Sequence, residues 1–209
     1  MSTLRPERYQ SFILTGAPGC GKGTQGAILG EVPRFYHFSM GDAFRSLDTR
    51  TEIGQEFVKY SSAGQLVPDE LSIRFFRAQV DARVKTTEFK PDIDVLVLDG
   101  IPRNRSQAEL LVEHVDVLHI FHLACPDREE LITRLRKRAL KSGRLDDASE
   151  EVIRHRIRTY EQETKEVFDC FPGSLRTEID ANQAPVKVLA DILEVVVAHP
   201  EWQRMTMPL

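Results

Sequence analysis

Short apolar runs alternate along the chain with longer amphipathic stretches. Most of the runs are nearly continuous in apolar residues, as is typical of strands buried on both faces of a parallel sheet; they span residues 12–14, 35–38, 95–98, 120–123 and 175–179. The amphipathic stretches between the runs indicate helices, among them one that begins at Pro68 and others over 150–168 and 185–198. This alternation predicts an α/β protein with one five-stranded, doubly wound parallel sheet flanked by helices.

Two segments do not fit a simple strand–helix–strand crossover. Residues 39–68 lie between the second predicted strand and the helix at Pro68, and residues 134–148 are rich in Arg and Lys. We expect both segments to leave the sheet as small inserted subdomains and to act as lids. The remainder of residues 1–209 is predicted to form a single domain, because the chain is only moderately longer than a typical domain of about 150 residues.

Composition and charge exclude several classes of function. Hydrophobic residues make up 41% and charged residues 29% of the chain, which indicates a folded globular protein. The net charge of −4 argues against a globally basic nucleic-acid-binding protein, and no apolar run reaches the roughly 20 residues that span a bilayer. Because the first ten residues contain no apolar signal segment, we expect a cytoplasmic protein. The three cysteines form no CxxC pair and are predicted to be reduced thiols.

The strongest chemical signal is the sequence GAPGCGKGT at residues 16–24. It follows an apolar run and opens a helix at Lys22, which is the context of a phosphate-binding loop. Its glycines allow backbone N–H groups to surround phosphate oxygens, and the helix N-terminus adds a favourable dipole. Lys22 is expected to reach the β- and γ-phosphates and Thr24 to place a hydroxyl on Mg²⁺. The general pattern has Ser or Thr directly after the lysine, whereas here Gly23 intervenes.

Asp99 ends the apolar run at 95–98. An Asp at the carboxyl end of a parallel strand lies at the edge of the sheet where ligands bind. There it could hold Mg²⁺, largely through water, because Mg²⁺ keeps much of its hydration. The alternative is an Asp that only caps a turn.

Five segments in this order resemble motifs of the adenylate kinase family, a group of nucleoside monophosphate kinases, and the resemblance covers most of the chain from residue 12 to 197. The segments are GAPGCGKGTQ at the phosphate loop, HFSMGDAFR at 37–45, GQLVPDEL at 64–71, LDGIPRNRSQA at 98–108 and SGRLDD at 142–147. The resemblance implies a three-layer fold of the P-loop NTP hydrolase type. It also implies reversible transfer of the γ-phosphoryl group of Mg-ATP to AMP, which gives two ADP.

The resemblance further implies a role for particular residues. The cations at the reacting phosphates would be Lys22, Arg103, Arg138, Arg144 and Arg156. The ATP site would comprise Gly19, Cys20, Gly21, Lys22, Gly23, Thr24, Arg134 and Ala184, with Arg134 stacked on the adenine. The AMP site would comprise Ser39, Met40, Arg45, Gln65, Val67, Gly100, Arg103 and Gln107, with Gln107 reading the base. The expected partners are therefore small nucleotides, with neither nucleic acid nor membrane, and the expected state is a monomer.

Many cations in a net acidic chain suit phosphoryl transfer, which requires positioning and neutralisation of charge. Each assigned side chain also has an ordinary structural alternative. Arg138 and Arg144 could form a surface salt bridge with Asp146 or Asp147, and Arg156 could pair only with carboxylates of its own helix. Gln107 could cap a helix or lie exposed. Arg136 and Lys137 are expected to be solvated charges without a role in the site.

Two positions depart from the family pattern, and one feature is missing. Met40 stands where adenylate kinases usually have Thr, and Ile101 replaces an aromatic residue. A UMP/CMP-type or broad-specificity kinase is therefore the alternative function, and Met40 is its main support. A nucleotide-binding regulator or hydrolase is disfavoured by the acceptor residues, and a small-metabolite kinase by the segment GQLVPDEL. The short segment 134–148 contains no cysteine, so we expect no structural zinc.

Overall fold

The computed structural model describes residues 8–142, 147 and 149–206. Within these residues the chain forms one five-stranded sheet in the order β2-β3-β1-β4-β5, and all neighbouring strands are parallel. The strands are β1 (Tyr9–Thr15), β2 (Phe35–Ser39), β3 (Val95–Asp99), β4 (Val115–Ala124) and β5 (Arg176–Asp180). The sheet and its flanking helices confirm the predicted fold class.

Helices follow or separate these strands. They are α1 (Lys22–Gly30), α2 (Met40–Arg45), α3 (Glu52–Ser62), α4 (Asp69–Lys85), α5 (Arg105–Leu111), α6 (Arg128–Ser142), α7 (Glu150–Glu163), α8 (Pro185–Ala198) and α9 (Pro200–Thr206). Short polar side chains begin several of them, because each accepts a hydrogen bond from a backbone N–H in the first turn. Ser39 does this for α2, Asn104 for α5 and Ser149 for α7.

Both faces of the sheet are covered, as the continuous apolar runs predict. Because successive side chains of a strand point to opposite faces, β3 contributes to two separate apolar clusters. Val95 and Val97 pack with residues of α1, α6, α7 and α8, whereas Leu96 and Leu98 pack with residues of α4 and α5. This packing fixes the carboxyl ends of the strands, where the loops that carry the predicted site begin.

Several predicted boundaries differ from the observed ones. β4 begins at Val115, five residues before the apolar run, because its backbone pairs with β1 even beside the polar Asp116 and His119. Pro68 precedes α4 as its N-cap rather than starting the helix. The helix predicted to reach Phe168 ends at Glu163 and continues as a 3₁₀ helix over Thr164–Cys170. The buried Thr164 hydroxyl donates to the Arg103 carbonyl at 2.7 Å at this change of geometry.

The C-terminal helix α9 had no predicted role, yet it packs against the sheet. The Trp202 ring stacks on Phe35 with centroids 4.3 Å apart and planes 10° apart. Such stacking is favourable beyond the area that it buries. None of the described helices has the length and apolar character to cross a membrane.

Candidate active site

A cavity of about 770 Å³ opens at the carboxyl edge of the sheet. Such edges are the usual ligand site of open α/β sheets. Its wall contains most residues that the sequence predicted for the site: Gly19, Cys20, Gly21, Lys22, Gly23, Thr24, Ser39, Met40, Arg45, Gln65, Val67, Asp99, Gly100, Arg103, Gln107, Arg134, Arg138 and Arg156. The fold therefore brings together side chains from both halves of the sequence. Ala184 does not line the cavity, although its neighbours Gln183 and Pro185 do, and Arg144 lies outside the described residues.

The phosphate loop joins β1 to α1 in the predicted position. Gly21 is the N-cap of α1 with φ 104°, a backbone conformation that favours glycine. Gly16 has φ 143°, and a Cβ at this position would lie 2.5 Å from the Leu123 carbonyl oxygen. The loop therefore packs closely against the end of β4, which leaves room only for glycine at its start.

Lys22 lies at the first position of α1 and folds back over the loop. Its Nζ donates to the carbonyl oxygens of Gly16 at 2.6 Å and Ala17 at 3.1 Å. The same Nζ lies 3.7 Å from the Sγ of the buried Cys20. The ammonium group is thus held at the phosphate loop by backbone carbonyls, and a phosphate oxygen could replace one of them as its acceptor.

The side chain of Asp99, the last residue of β3, approaches that of His37 in the middle of β2. Asp99 is buried, and its Oδ2 is 3.9 Å from the Nε2 of His37. Burial lowers the pKa of His37 below its usual value, while Asp99 and then Asp42 act in the opposite direction. His37 also contacts α1 closely, since a Cβ at Gly26 would lie 2.2 Å from its Nε2. Sequence reasoning gave His37 no role, although it begins a family-like segment.

The donor set near the phosphate loop fits a magnesium ion that keeps much of its water. The Asp99 carboxylate and the Thr24 hydroxyl both line the cavity, and Asp99 Oδ2 is 3.5 Å from the position of a Cβ on Gly23. No group of three or more His, Cys, Asp and Glu side chains among the described residues could hold a metal ion. Mg²⁺ commonly binds through one or two protein oxygens and substrate phosphates, so these few oxygens suffice.

Arg138 of α6 and Arg156 of α7 meet at one carboxylate. The Asp147 side chain is completely buried; its Oδ2 accepts from Arg138 Nε at 2.7 Å and its Oδ1 accepts from Arg156 Nη1. The salt bridge considered for Arg138 is therefore present, but its carboxylate is buried rather than at the surface. Asp147 precedes α7, so Arg156 does not pair only within its own helix. Two guanidinium groups are thereby gathered on one wall of the cavity.

On the opposite side of the cavity, the backbone of Arg103 is held at both ends. Its N–H donates to Gln107 Oε1 at 2.9 Å, and its carbonyl accepts from Thr164. The Arg103 Nε donates to the Gly100 carbonyl at 2.9 Å, and Arg45 pairs with Asp42 at 2.6 Å. These contacts hold Arg45 and Arg103, which both line the cavity.

Met40 and Ile101, the two departures from the family pattern, are both apolar core residues here. Met40 is 2% exposed and Ile101 is 1% exposed, and both belong to the cluster on the α4 side of the sheet. Met40 also lines the cavity. Its thioether side chain therefore fills space between core and cavity, in keeping with the adaptable packing of methionine.

Arg134 ties α6 to the loop that follows β5. Its Nη1 donates to the Ala181 carbonyl at 3.0 Å and its Nη2 to Asn182 Oδ1 at 3.1 Å. Its Nε donates to Glu130 at 2.8 Å. These bonds fix the guanidinium plane beside the part of the cavity lined by Ala181 and Gln183.

Sequence reasoning missed a hydrogen-bonded chain behind the phosphate loop. The hydroxyl of Tyr160, a cavity residue, is 2.9 Å from His122 Nε2, and His122 Nδ1 is 3.1 Å from Glu178 Oε2. Since the Glu178 carboxylate accepts the Nδ1 proton, Nε2 is the acceptor for the tyrosine. Burial raises the pKa of Tyr160 and lowers the pKa of His122, although Glu178 opposes the latter shift. Tyr160 lies within the helix predicted over 150–168, but no local pattern links it to His122.

Two cations without a predicted role behave differently from each other. Arg136 pairs with Glu150, which agrees with the expected surface position. Lys137 is exposed but lines the cavity near Arg138. Lys137 lies three residues after Arg134 and four before Lys141, so the helical phase of α6 puts it on the face that lines the cavity, whereas Arg136 does not line the cavity.

Comparison with known proteins supports one family over most of the chain. A family model described as "Adenylate kinase" matches residues 14–174. An adenylate kinase of Bacteroides thetaiotaomicron is 35% identical over 193 residues, which cover 89% of this chain and 97% of the relative. An adenylate kinase of Leptospira biflexa is 38% identical over 169 residues, covering 78% and 86% respectively. One of a Mycobacterium species is 35% identical over 193 residues, covering 88% and 98%. The matched region includes the phosphate loop and both groups of arginines.

Proposed function

The chain belongs to the adenylate kinase family, and we propose that its cavity holds ATP on the phosphate loop and AMP beside Arg45, Arg103 and Gln107. The reaction is reversible transfer of the γ-phosphoryl group of ATP to AMP, which gives two ADP. One observation carries the assignment of residues. A single cavity contains both a phosphate loop and a second set of arginines that a hydrolase would not need.

On the donor side, the ATP phosphates lie over Gly19–Thr24 and the N-terminus of α1. Backbone N–H groups and the helix dipole bind the phosphate charge there. Lys22 exchanges its bonds to the loop carbonyls for bonds to the transferred phosphoryl group. Arg134, whose plane is fixed by Ala181 and Asn182, covers the adenine. Ala184 belongs to the surrounding loop without contributing to the wall.

On the acceptor side, Arg45 and Arg103 bind the α-phosphate of AMP. Arginine suits this task because its planar fork donates to two phosphate oxygens at once. The base lies between Gln107, Met40 and the backbone at Gln65 and Val67. Ser39 and Gly100 border this pocket at the ends of β2 and β3.

The chemical step depends on charge neutralisation and alignment. The acceptor phosphate is largely dianionic near neutral pH, since its second pKa is roughly 6, so no general base is needed. Arg138 and Arg156 approach from α6 and α7 and neutralise charge on the phosphoryl group in transfer. Asp147 holds both guanidinium groups, and each carries five N–H donors, so an arginine bonded to Asp147 can also bond to a phosphate.

We assign the magnesium ion that accompanies ATP to Thr24 and Asp99. The ion supplies charge neutralisation between the phosphates. Asp99 would hold it largely through water, and the Thr24 hydroxyl, which lines the same cavity, would be the second protein oxygen near it.

Closure of two segments excludes water from the transfer. Residues 39–68 contain α2 and α3 and border the AMP side, while residues 134–142 of the second segment form the C-terminal part of α6. Closure matters because an open site would allow water to accept the phosphoryl group. Arg144 belongs to the second segment and keeps its proposed role at the phosphates. The protein acts as a monomer in the cytoplasm, where its three unpaired cysteines remain reduced.

An acceptor panel tests the function. The protein is incubated with Mg-ATP and AMP, dAMP, CMP, UMP or GMP, with ATP alone as the control. We expect ADP formation with AMP to exceed that with every pyrimidine acceptor. Faster turnover with UMP or CMP would instead indicate a pyrimidine nucleotide kinase, with Met40 as the residue that alters the base preference. A folded protein that forms ADP equally fast without an acceptor would be a hydrolase.

A further inference from the structure

The side-chain amide of Gln107 is held by two partners of opposite polarity. Its Nε2 donates to Asp69 Oδ1 at 2.9 Å, and its Oε1 accepts from the backbone N–H of Arg103 at 2.9 Å. Asp69 Oδ1 also accepts from Asn104 Nδ2 at 2.9 Å. Gln107 is 2% exposed and lines the cavity. The amide is thus a buried group whose contacts come from α4 and from the loop before α5.

These partners permit only one orientation of the amide. The Asp69 carboxylate can only accept hydrogen bonds, and the Arg103 backbone N–H can only donate. A flipped amide would set its oxygen against the carboxylate and its NH₂ against the backbone N–H. Both bonds would be lost, although Asp69 would keep its bond from Asn104, and the loss is costly because the Gln107 amide is buried.

With its orientation set, the Gln107 amide still has one hydrogen-bond donor and one acceptor for a ligand. An amide has two N–H donors and two acceptor lone pairs, and each contact described above uses one. One N–H and one lone pair remain. The Watson–Crick edge of adenine offers the complementary pair, an amino donor at N6 and an acceptor at N1. Hypoxanthine, which has the same shape, offers the reverse pair, an acceptor at O6 and a donor at N1.

We propose that Asp69 is a positioning residue that fixes the polarity of Gln107, so that the acceptor site takes 6-amino bases and rejects 6-oxo bases of equal size. This inference rests on the proposed function, since it concerns the base of the acceptor nucleotide. Asp69 acts through Gln107 and needs no contact with the nucleotide. A 6-oxo base is rejected because its O6 would face the Gln107 oxygen and its N1–H would face the Gln107 N–H. This is specificity through repulsion.

The test compares AMP with IMP. Their bases, adenine and hypoxanthine, differ chiefly in the hydrogen-bond polarity of the Watson–Crick edge. In the wild-type protein we expect kcat/KM for AMP to exceed that for IMP by at least about tenfold, as for other hydrogen-bond readers of bases. In Asp69→Asn the residue-69 amide can accept from or donate to Gln107. A flip with the residue-69 NH₂ turned toward Gln107 still breaks the bonds from the Arg103 N–H and from Asn104 Nδ2, but it no longer sets the Gln107 oxygen against a carboxylate. We therefore expect the AMP-to-IMP ratio to fall several-fold, through a rise in kcat/KM for IMP.

Glu70→Gln is the matched control. Glu70 is exposed and lies in the same first turn of α4, so the variant removes the same charge from the same helix end. Its AMP-to-IMP ratio should equal that of the wild type. If Asp69→Asn does not fold, Asp69→Ser replaces it with the same expected shift, because a hydroxyl also donates or accepts.

The outcomes separate this inference from the proposed function. A wild-type protein without AMP-dependent turnover would contradict the function itself. AMP turnover with a wild-type ratio near one would overturn the polarity lock and leave the function intact. Equal losses for AMP and IMP in Asp69→Asn would reduce Asp69 to a structural residue.

Discussion

Replacement of Lys22 by Met removes the ammonium group and preserves most of the aliphatic stem. In the structure Lys22 Nζ bonds to two backbone carbonyls, at 2.6 and 3.1 Å, and belongs to a half-buried side chain. At about 1.5 kcal/mol for each bond of a charged but half-exposed donor, the variant should lose about 3 kcal/mol of unfolding free energy. For a chain of this size, that loss lowers Tm by about 6–12 °C.

The expected effect of Lys22→Met on catalysis is much larger. Loss of one preorganised donor to a developing charge typically lowers kcat by about 10²–10³. Initial rates of ADP formation at saturating Mg-ATP and AMP measure this loss, and thermal unfolding shows that the variant is folded. Lys85→Met, which removes an exposed charge at the end of α4, serves as the control with an unchanged rate. A folded Lys22→Met variant within about threefold of the wild-type kcat would refute the proposed role of Lys22.

Three further outcomes follow from the described contacts. Asp147→Asn should lower kcat at least about tenfold, because two arginines lose their shared buried carboxylate; an unchanged steady-state rate would contradict this. Arg103→Ala should raise KM for AMP more than KM for ATP, unlike the exposed control Arg105→Ala, as initial-rate kinetics would show. Burial lowers the pKa of His119 and His122, so the unfolded chain binds more protons below about pH 6.5. Tm should therefore fall as the pH is lowered from 7.5 to 5.5, and it should fall less steeply in His119→Asn than in the wild type. Equal slopes of Tm against pH in the two proteins would contradict a contribution of buried His119.

The phosphate loop shows how far local pattern can predict a site. Residues 16–24 carry their own geometry, since glycines at fixed spacing and a following helix are sufficient to place Lys22 and Thr24. The short runs likewise predicted all five strands. Burial on both faces accounts for β3, which is buried throughout, but not for the edge strand β5, which exposes Arg176, Glu178 and Asp180. The strand boundaries were less accurate, because backbone pairing in β4 extends beneath polar side chains such as His119.

Some predicted site residues lie in the cavity but have different immediate contacts from those expected. Arg138 and Arg156 were expected to face phosphates, and in this structure both bond to the buried Asp147. Gln107 was expected to present its amide to a base, and Asp69 and the Arg103 backbone now define which way the amide faces. The pair of Arg138 with Asp147 was one of the alternatives that the sequence left open, whereas the partners of Gln107 and the sharing of Asp147 with Arg156 were not predicted.

The sequence by itself determined the parallel α/β fold, the phosphate loop and the family, because each depends on residue order and spacing over short distances. Only the tertiary structure decided the pairing of groups far apart in the chain. Asp69 and Gln107 are 38 residues apart, as are Tyr160 and His122, and Trp202 stacks on Phe35 from the opposite end of the sequence. Hydrogen-bond polarity and ring stacking depend on where two elements meet in space. That position is set by the packing of both faces of the sheet, which no local pattern contains.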